Sequence, residues 1–324
     1  MNLLALIWSG IIAFGIIMYV ILGGFDLGIS MLTVFFKDEK KRDALVSAVL
    51  PVWDGNQTWL VFGAAALYGA FPLAFSTILP MLYTPIFLMV IALLFRGVSF
   101  EFRLKAVKTK RFWEWCLFAG ALVATVSQGL ILGAFVKGFS GDFFIWNSFG
   151  ASCALFLVFG YILLGLDFLI IKTTGEIQEK TYAIASKVQY IILVGMMIAS
   201  LWSPFLDPAI MARWFDLKNI PYLALLPVAA TVLFLLHRRA IQKRQERMPF
   251  ICAIGLFIAC YIGFIISSYP YIVPRILTYD AASSDHSSLL FMLVGACIML
   301  PPLLYYTYYS YKIFRGKITQ SIGY

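Results

Sequence analysis

The sequence predicts an all-α polytopic membrane protein with nine transmembrane helices. Of its 324 residues, 62% are hydrophobic and only 13% are charged, whereas a typical soluble domain is about 45–50% apolar and about 25% charged. Nine stretches approach the roughly 20 residues that a helix needs to cross a bilayer. The loops between them are short and leave no room for a soluble domain, so residues 1–324 are predicted to form a single integral membrane domain.

The nine predicted helices follow the apolar runs in chain order. Pro72 and Pro80 mark the boundary between the second and the third helix, because proline ends or kinks a helix. The last run ends in a group of tyrosines, which are typical of a membrane interface. The predicted ranges are 5–36, 53–71, 77–100, 112–136, 146–171, 182–203, 220–241, 249–268 and 288–311.

Basic residues alternate between the two sides of these helices. With the N-terminus outside (periplasmic) and the C-terminus inside (cytoplasmic), all of the 25 Lys and Arg residues lie on the inside except Lys137, Arg213, Lys218 and Arg275. This distribution satisfies the positive-inside rule, and joining the second and third helices would destroy it. Topology therefore explains the net charge of +9, and nucleic acid is not an expected partner.

A short motif recurs four helices apart. Gly24-Phe-Asp-Leu-Gly28 lies in the first predicted helix and Gly165-Leu-Asp-Phe168 in the fifth. Because an even number of helices separates them, the motifs would belong to parallel repeats. We therefore expect two four-helix bundles and one peripheral helix, although coincidence remains an alternative explanation for so short a match.

The most polar stretch inside a predicted helix is Pro51-Val-Trp-Asp-Gly-Asn-Gln-Thr-Trp59. Pro51 suits a helix start, and the helix dipole there favours an ionised carboxylate. Asp26 is expected about 15 Å from the inside face, at 1.5 Å per residue; without a cation, an acid at that depth is driven towards its protonated form. Polar groups in lipid are costly and mark functional sites. The predicted proton relay comprises Asp54, Asn56, Gln57, Thr58 and Asp26, and the alternative is a structural role for both acids.

The remaining titratable residues point away from a cofactor in this chain. A haem usually needs a His, Met or Cys axial ligand, but His237 and His286 lie near opposite ends of predicted helices. Both are expected to be solvated at the interface, so no haem or metal is predicted here. Asp167 is expected to pair with Lys172, and Glu114 to be a helix-start acid near the inside surface.

Four stretches closely resemble subunit II of the bacterial cytochrome bd quinol oxidases. The resemblance covers the whole chain, and its Trp-Asp-Gly-Asn-Gln motif is quite specific. A further patch, Thr125-Val-Ser-Gln-Gly129, is more similar to the cyanide-insensitive branch of that family. The four stretches are Gly24–Gly28, Pro51–Leu60, Phe95–Arg103 and Thr278–Ser284.

This resemblance implies an inner-membrane complex that oxidises quinol and reduces dioxygen to water. It places haems b and d and the quinol site in the haem-bearing subunit I, which subunit II would stabilise while lining a proton path from the cytoplasm. Asp54 and Asp26 match the acids implicated in that path. Trp59 matches a position near a proposed oxygen route, and Trp53 is a candidate subunit contact. A structural quinone, membrane lipids and a small accessory subunit are further candidate partners.

A proton-coupled secondary transporter is the alternative function. Internal repeats and mid-membrane acids suit a transporter, but no clear pair of broken helices flanks a polar site of substrate size. A purely structural scaffold subunit is the third interpretation that the sequence leaves open.

Overall fold

The computed structural model describes residues 3–139 and 147–318, and these residues are overwhelmingly helical. A 3₁₀ turn extends α1 over Thr33–Phe35, and a two-stranded antiparallel hairpin lies near the C-terminal end. The elements are α1 (Leu3–Leu32), α2 (Glu39–Val49), α3 (Trp53–Ala70), α4 (Pro72–Met81), α5 (Tyr83–Lys105), α6 (Lys110–Lys137), α7 (Ser148–Lys172), α8 (Gly175–Trp202), α9 (Pro208–Phe215), α10 (Ile220–Leu223), α11 (Leu225–Gln242), α12 (Met248–Ser268), β1 (Tyr271–Val273), β2 (Leu277–Thr278), α13 (Tyr279–Ala282) and α14 (His286–Ile313).

Eight helical segments within the described residues are long and apolar enough to cross a membrane. They are built on α1, α5, α6, α7, α8, α10 with α11, α12 and α14. The second predicted span corresponds to α3, which is helical over 18 residues but is not among the eight. Its first two turns carry the polar stretch that begins at Trp53, and this lowers its mean hydropathy.

Several predicted helix boundaries differ from the structure. The predicted third helix, 77–100, is wrong at its start, because α4 ends at Met81 and α5 begins at Tyr83. The sixth begins at Gly175 rather than at residue 182, because Gly175 adopts a φ of +63° and turns the chain directly out of α7. The seventh is broken at Ala224. The fifth was predicted to begin at residue 146, which lies outside the described residues.

Helix α1 crosses α7 at a contact between backbones. A Cβ atom on Gly28 would lie 1.8 Å from the carbonyl oxygen of Tyr161, and one on Gly165 would lie 2.8 Å from the amide nitrogen of Ile29. No side chain larger than hydrogen fits at either position. The two glycine-containing motifs noted in the sequence therefore meet each other at this crossing.

The long helices pack into two groups around this crossing. One group contains α1, α3, α5 and α6, and the other contains α7, α8, α11 and α12. Packing of α7 against α1 and α6 joins the groups, and α14 lies against α1 and α3. This arrangement brings residues from distant parts of the chain to the centre of each group.

Candidate functional site

Asp26 lies fully buried in α1, and it is paired with a cation. Arg96 of α5, which is 1% exposed, donates from Nη2 to Oδ1 of Asp26 over 2.5 Å. Its Nε also donates to Oγ of Ser30 over 3.3 Å. The condition under which Asp26 was expected to be protonated, the lack of a cation, is therefore not met, and Arg96, which was counted among the inside cations, is buried beside it. A permanently charged guanidinium compensates the buried carboxylate.

Asn56 connects the polar stretch of α3 to this pair. It is buried, and its Nδ2 donates to the carbonyl oxygen of Leu22 over 3.0 Å while its Oδ1 accepts from the hydroxyl of Tyr311 over 2.8 Å. Asn56 also lies beside the carboxyl group of Asp26. One amide side chain thus joins α1, α3 and α14. Within the described residues, Oδ2 of Asp26 has no protein hydrogen-bond partner.

The polar residues of α3 other than Asn56 differ in exposure. Asp54 and Thr58 lie on the same helix face because they are four residues apart, and both are exposed. Gln57 is half-buried, and its Nε2 finds no partner in the described part of the chain. No hydrogen bond between described residues joins Asp54 to Asp26. The helix therefore presents Asn56 to the interior and Asp54 to the molecular surface.

The two tryptophans of the same stretch differ in exposure. Trp59 is buried and packs edge-to-face against Phe14 at 5.7 Å between ring centroids. Trp53 is partly exposed and stacks on Phe100 of α5 at 5.4 Å. Only Trp53 of the two retains enough surface to touch another subunit directly.

A chain of three polar side chains lies near the Asp26 site. The hydroxyl of Tyr161 on α7 donates to Oε1 of Gln128 over 2.7 Å, and Nε2 of Gln128 donates to the hydroxyl of Tyr19 over 2.8 Å. Gln128 belongs to the polar patch that the sequence showed in α6. Its hydrogen bonds join α1, α6 and α7, which satisfies polar groups that would be costly to bury alone.

A cluster of charges lies at the end of the first helix group where α2 packs. Glu114 is fully buried, and its carboxylate lies 2.7 Å from Arg42, 2.9 Å from Arg103 and 3.0 Å from Arg111. Although Glu114 lies near the start of α6, it is buried among three arginine side chains rather than located at the surface. Asp43 of α2 joins the cluster, at 2.7 Å from Arg103. Burial raises the pKa of Asp43, but hydrogen bonds from Lys110 and Arg103 outweigh it and hold the pKa below the ordinary value.

The second helix group contains a buried pair of its own. Nε2 of His237 on α11 lies 2.8 Å from Oδ2 of Asp167 on α7, and Nδ1 lies 3.1 Å from Oε1 of Gln189 on α8. All three side chains are buried. The expectation that His237 is solvated is wrong, and so is the pairing of Asp167 with Lys172. Lys172 instead donates to the carbonyl oxygen of Phe314.

The two buried pairs have the same spacing in the chain. Asp26 and Arg96 are 70 residues apart, and so are Asp167 and His237. In each helix group the acid lies in the first long helix and the base in the third, with an amide side chain supplied by the second. This correspondence supports the internal repeat that the Gly-x-Asp motifs suggested.

Sequence reasoning identified both acids of these pairs but missed their bases. A usable signal was present, because Arg96 and His237 both lie inside predicted spans, 77–100 and 220–241. An ionisable residue inside a span needs a buried partner. Within the described residues, no three His, Cys, Asp or Glu side chains gather into a group that could hold a metal ion.

Comparison with known proteins identifies relatives over nearly the whole chain. The family model described as cytochrome bd terminal oxidase subunit II matches residues 4–314. Cytochrome bd-I ubiquinol oxidase subunit 2 of Escherichia coli K12 is 26% identical, over 98% of this chain and 96% of its own length. Cytochrome bd ubiquinol oxidase subunit 2 of Bacillus subtilis is 28% identical, over 97% and 96%.

The fold has a counterpart among solved structures. A chain of the bd oxidase from Geobacillus thermodenitrificans aligns with a TM-score of 0.81 at 19% sequence identity, covering 97% of this chain and 99% of that one. The helical membrane architecture is therefore shared along the full length. Together with the family match, this shows that the chain belongs to the family of subunit II of the cytochrome bd terminal oxidases.

Proposed function

We propose that the chain is the non-haem subunit II of a cytochrome bd-type quinol oxidase and lines a proton path from the inside face towards the haem-bearing subunit I. The complex oxidises quinol and reduces dioxygen to water, with haems b and d and the quinol site in subunit I. Family membership supports the assignment to the oxidase. The observation that carries the proton path is the two-faced arrangement of α3.

The proposed path begins on the exposed face of α3. Asp54 and Thr58 lie there near the inside end, and an acid facing lipid is costly, so we propose that subunit I covers this face. From there the proposed path runs inward around the helix, through Gln57 and then Asn56. Asn56 lies beside Asp26, whose Oδ2 has no protein partner among the described residues and is the proposed proton acceptor. Drawing protons from the inside for dioxygen reduction makes turnover electrogenic without a pump.

The proposed topology counts α3 as the ninth span, with the N-terminus periplasmic and the C-terminus cytoplasmic. At 1.5 Å per residue, the 18 residues of α3 reach about 27 Å, close to the hydrocarbon thickness of about 30 Å. The two helix groups then form two four-helix bundles within one integral membrane domain. The polar first turns of α3 would be shielded by subunit I.

The second helix group offers space for an apolar ligand. A cavity of about 170 Å³ lies between α6, α7, α8 and α12, and its lining is almost wholly apolar, with Phe156, Met196 and Phe257 among the contributing residues. This chemistry fits the isoprenoid tail of the candidate structural quinone or a lipid acyl chain. Membrane lipids and a small accessory subunit complete the proposed partners.

The proton path is tested with Asp54→Asn and Asp26→Asn in the assembled oxidase. Each variant is expected to lower quinol oxidase turnover and proton uptake from the inside while the haem absorbance of the complex remains. Asp285→Asn, at an exposed position outside the spans, is the matched control. Full turnover and normal charge separation in both path variants would reject the relay and leave a scaffold role.

The transporter alternative is not supported by the family match. Its remaining test is simple, since a transporter would be complete in this single chain. The chain expressed alone should show no haem absorbance and move no solute, whereas co-expression with subunit I should yield a complex with haem bands. Solute transport by the haem-free chain would overturn the assignment.

A further inference from the structure

The buried Asp167–His237 pair has no part in the proposed path through Asp26. It lies in the other helix group, and its members are 0% exposed, with Gln189 beside them at 3%. A histidine and an acid in contact inside a membrane bundle are costly to bury. The arrangement of their hydrogen bonds fixes how many protons they hold.

Gln189 determines the tautomer of the imidazole. Its Nε2 donates to the carbonyl oxygen of Ser186 over 3.0 Å, so its Oε1 is the atom directed at Nδ1 of His237, 3.1 Å away. An amide oxygen can only accept a hydrogen bond. Nδ1 of His237 must therefore carry a hydrogen.

The contact with Asp167 then requires one more proton. If Nε2 of His237 and Oδ2 of Asp167 were both bare, two acceptors would face each other at 2.8 Å, and the carboxylate would be buried with no counter-charge. A single proton between them removes both problems, whether it resides on the imidazole or on the carboxyl. The pair as observed therefore holds that proton and is neutral overall.

This pair differs from its counterpart in the first helix group in one respect. Arg96 remains protonated under all ordinary conditions, whereas an imidazole exchanges its proton readily. We propose that Asp167, His237 and Gln189 form a proton-binding site in the second helix group, which holds one proton between Nε2 and Oδ2 and exchanges it with the inside face.

Tyr182 is the residue through which we expect that exchange to run. Oδ1 of Asp167 and the hydroxyl of Tyr182 on α8 are both buried without a protein partner among the described residues, and the charged groups near Tyr182 are Glu246, Arg244, Glu179 and Asp167. The guanidinium of Arg244, at the inside end of α11, lies 4.6 Å from the centre of the Tyr182 ring. The thiol of Cys252 is the titratable group that α12 contributes near Asp167. Tyr182 thus lies between the pair and the inside surface.

The test uses the complete oxidase and measures proton exchange at the pair directly. Infrared difference spectra are recorded after pH jumps, with and without ¹⁵N-labelled histidine. We expect imidazole bands that shift with the label, coupled to a carboxyl band that is lost in Asp167→Asn. In His237→Arg these bands should disappear, and the protons exchanged per complex should fall by one.

The choice of variants separates proton binding from a structural role. His237→Arg places a fixed cation opposite Asp167 and keeps the pair neutral overall, so a purely structural pair would tolerate it, and an unchanged haem spectrum would show that the complex still assembles. His286→Gln is the matched control, because His286 is exposed, and it should retain the bands. Spectra that are identical in the wild type and His237→Arg, or that lack bands from the pair throughout the pH range of the folded complex, would overturn the proposal.

Discussion

Arg96 determines what Asp26 can do in this protein. Burial alone would favour the protonated acid, but a guanidinium 2.5 Å away supplies the charge that an ionised carboxylate needs. Only one carboxyl oxygen is engaged by Arg96, while the other lacks a protein partner in the described structure. Asp26 therefore combines a fixed orientation with an unpaired oxygen, which is the atom that the proposed proton path uses.

Removing Arg96 should destabilise the chain strongly. Arg96→Met leaves the carboxyl of Asp26 uncompensated, and breaking a buried pair in this way costs about 3–5 kcal/mol. The double variant Asp26→Asn/Arg96→Met should recover most of that loss. Denaturant unfolding of the complex, followed by tryptophan fluorescence, measures the change. Arg239→Met is the control, because Arg239 is exposed on α11, and a single variant as stable as this control would contradict the ion pair.

Asp43 should make the charge cluster around Glu114 sensitive to acid. Its folded-state pKa is held below the ordinary value of about 3.9, so the unfolded state binds the proton more tightly. The stabilisation from Asp43 is present above about pH 4 and is lost as the pH falls through the folded pKa. Asp43→Asn should flatten this part of the thermal stability profile, whereas Asp285→Asn should not. Parallel profiles for wild type and Asp43→Asn would show that the ion pairs contribute nothing.

The residues of the candidate site could be predicted from the sequence only in part. Asp26 and Asp54 are visible because acids are rare in apolar segments. The partners of the buried acids are not visible in the same way, since Arg96 lies 70 residues from Asp26 and a single sequence carries no record of which distant side chains meet. Arg96 also resembles a topogenic cation near a helix end, which concealed its role in the interior.

At the level of secondary structure, α3 has one polar face that is buried in the protein and another that is exposed. Its 3.6-residue period places Asn56 on the inner face and Asp54 and Thr58 on the outer one. The sequence predicted this helix closely, because Pro51 precedes it and Pro72 follows it. It did not indicate which face would be buried, since every polar residue in the stretch looked equally suited to the interior.

The crossing of α1 and α7 depends on glycine. In Gly28→Ala the new Cβ would lie 1.8 Å from a carbonyl oxygen of α7, so the helices must separate, and we expect little assembled complex and a large loss of thermal stability. Gly10→Ala is the matched control in the same helix, because no atom lies within 4 Å of the added Cβ. Haem absorbance per unit of membrane protein measures assembly. Normal assembly of Gly28→Ala would contradict this packing.

At the level of the whole molecule, subunit I should cover one face and leave another to lipid. Val61 on the outer face of α3 is 65% exposed, and Val228 on α11 is 58% exposed. Spin labels at Val61→Cys and Val228→Cys, in a background with Cys260 and Cys297 replaced, should be equally accessible to dissolved oxygen in the isolated chain. Assembly with subunit I should protect only the label at position 61. Equal protection, or protection of position 228 alone, would place the interface elsewhere.

The direct backbone contact between α1 and α7 also limits how the protein can move. Rocking one half against the other would pull apart two helices that touch at Gly28 and Gly165 with no side chain between them, and the close packing at the crossing would be lost. A transporter that alternates its access needs such a rocking joint. In this chain the backbone contact opposes such rocking, and the proposed proton path needs only rotating side chains and shifting water while the helices stay in place.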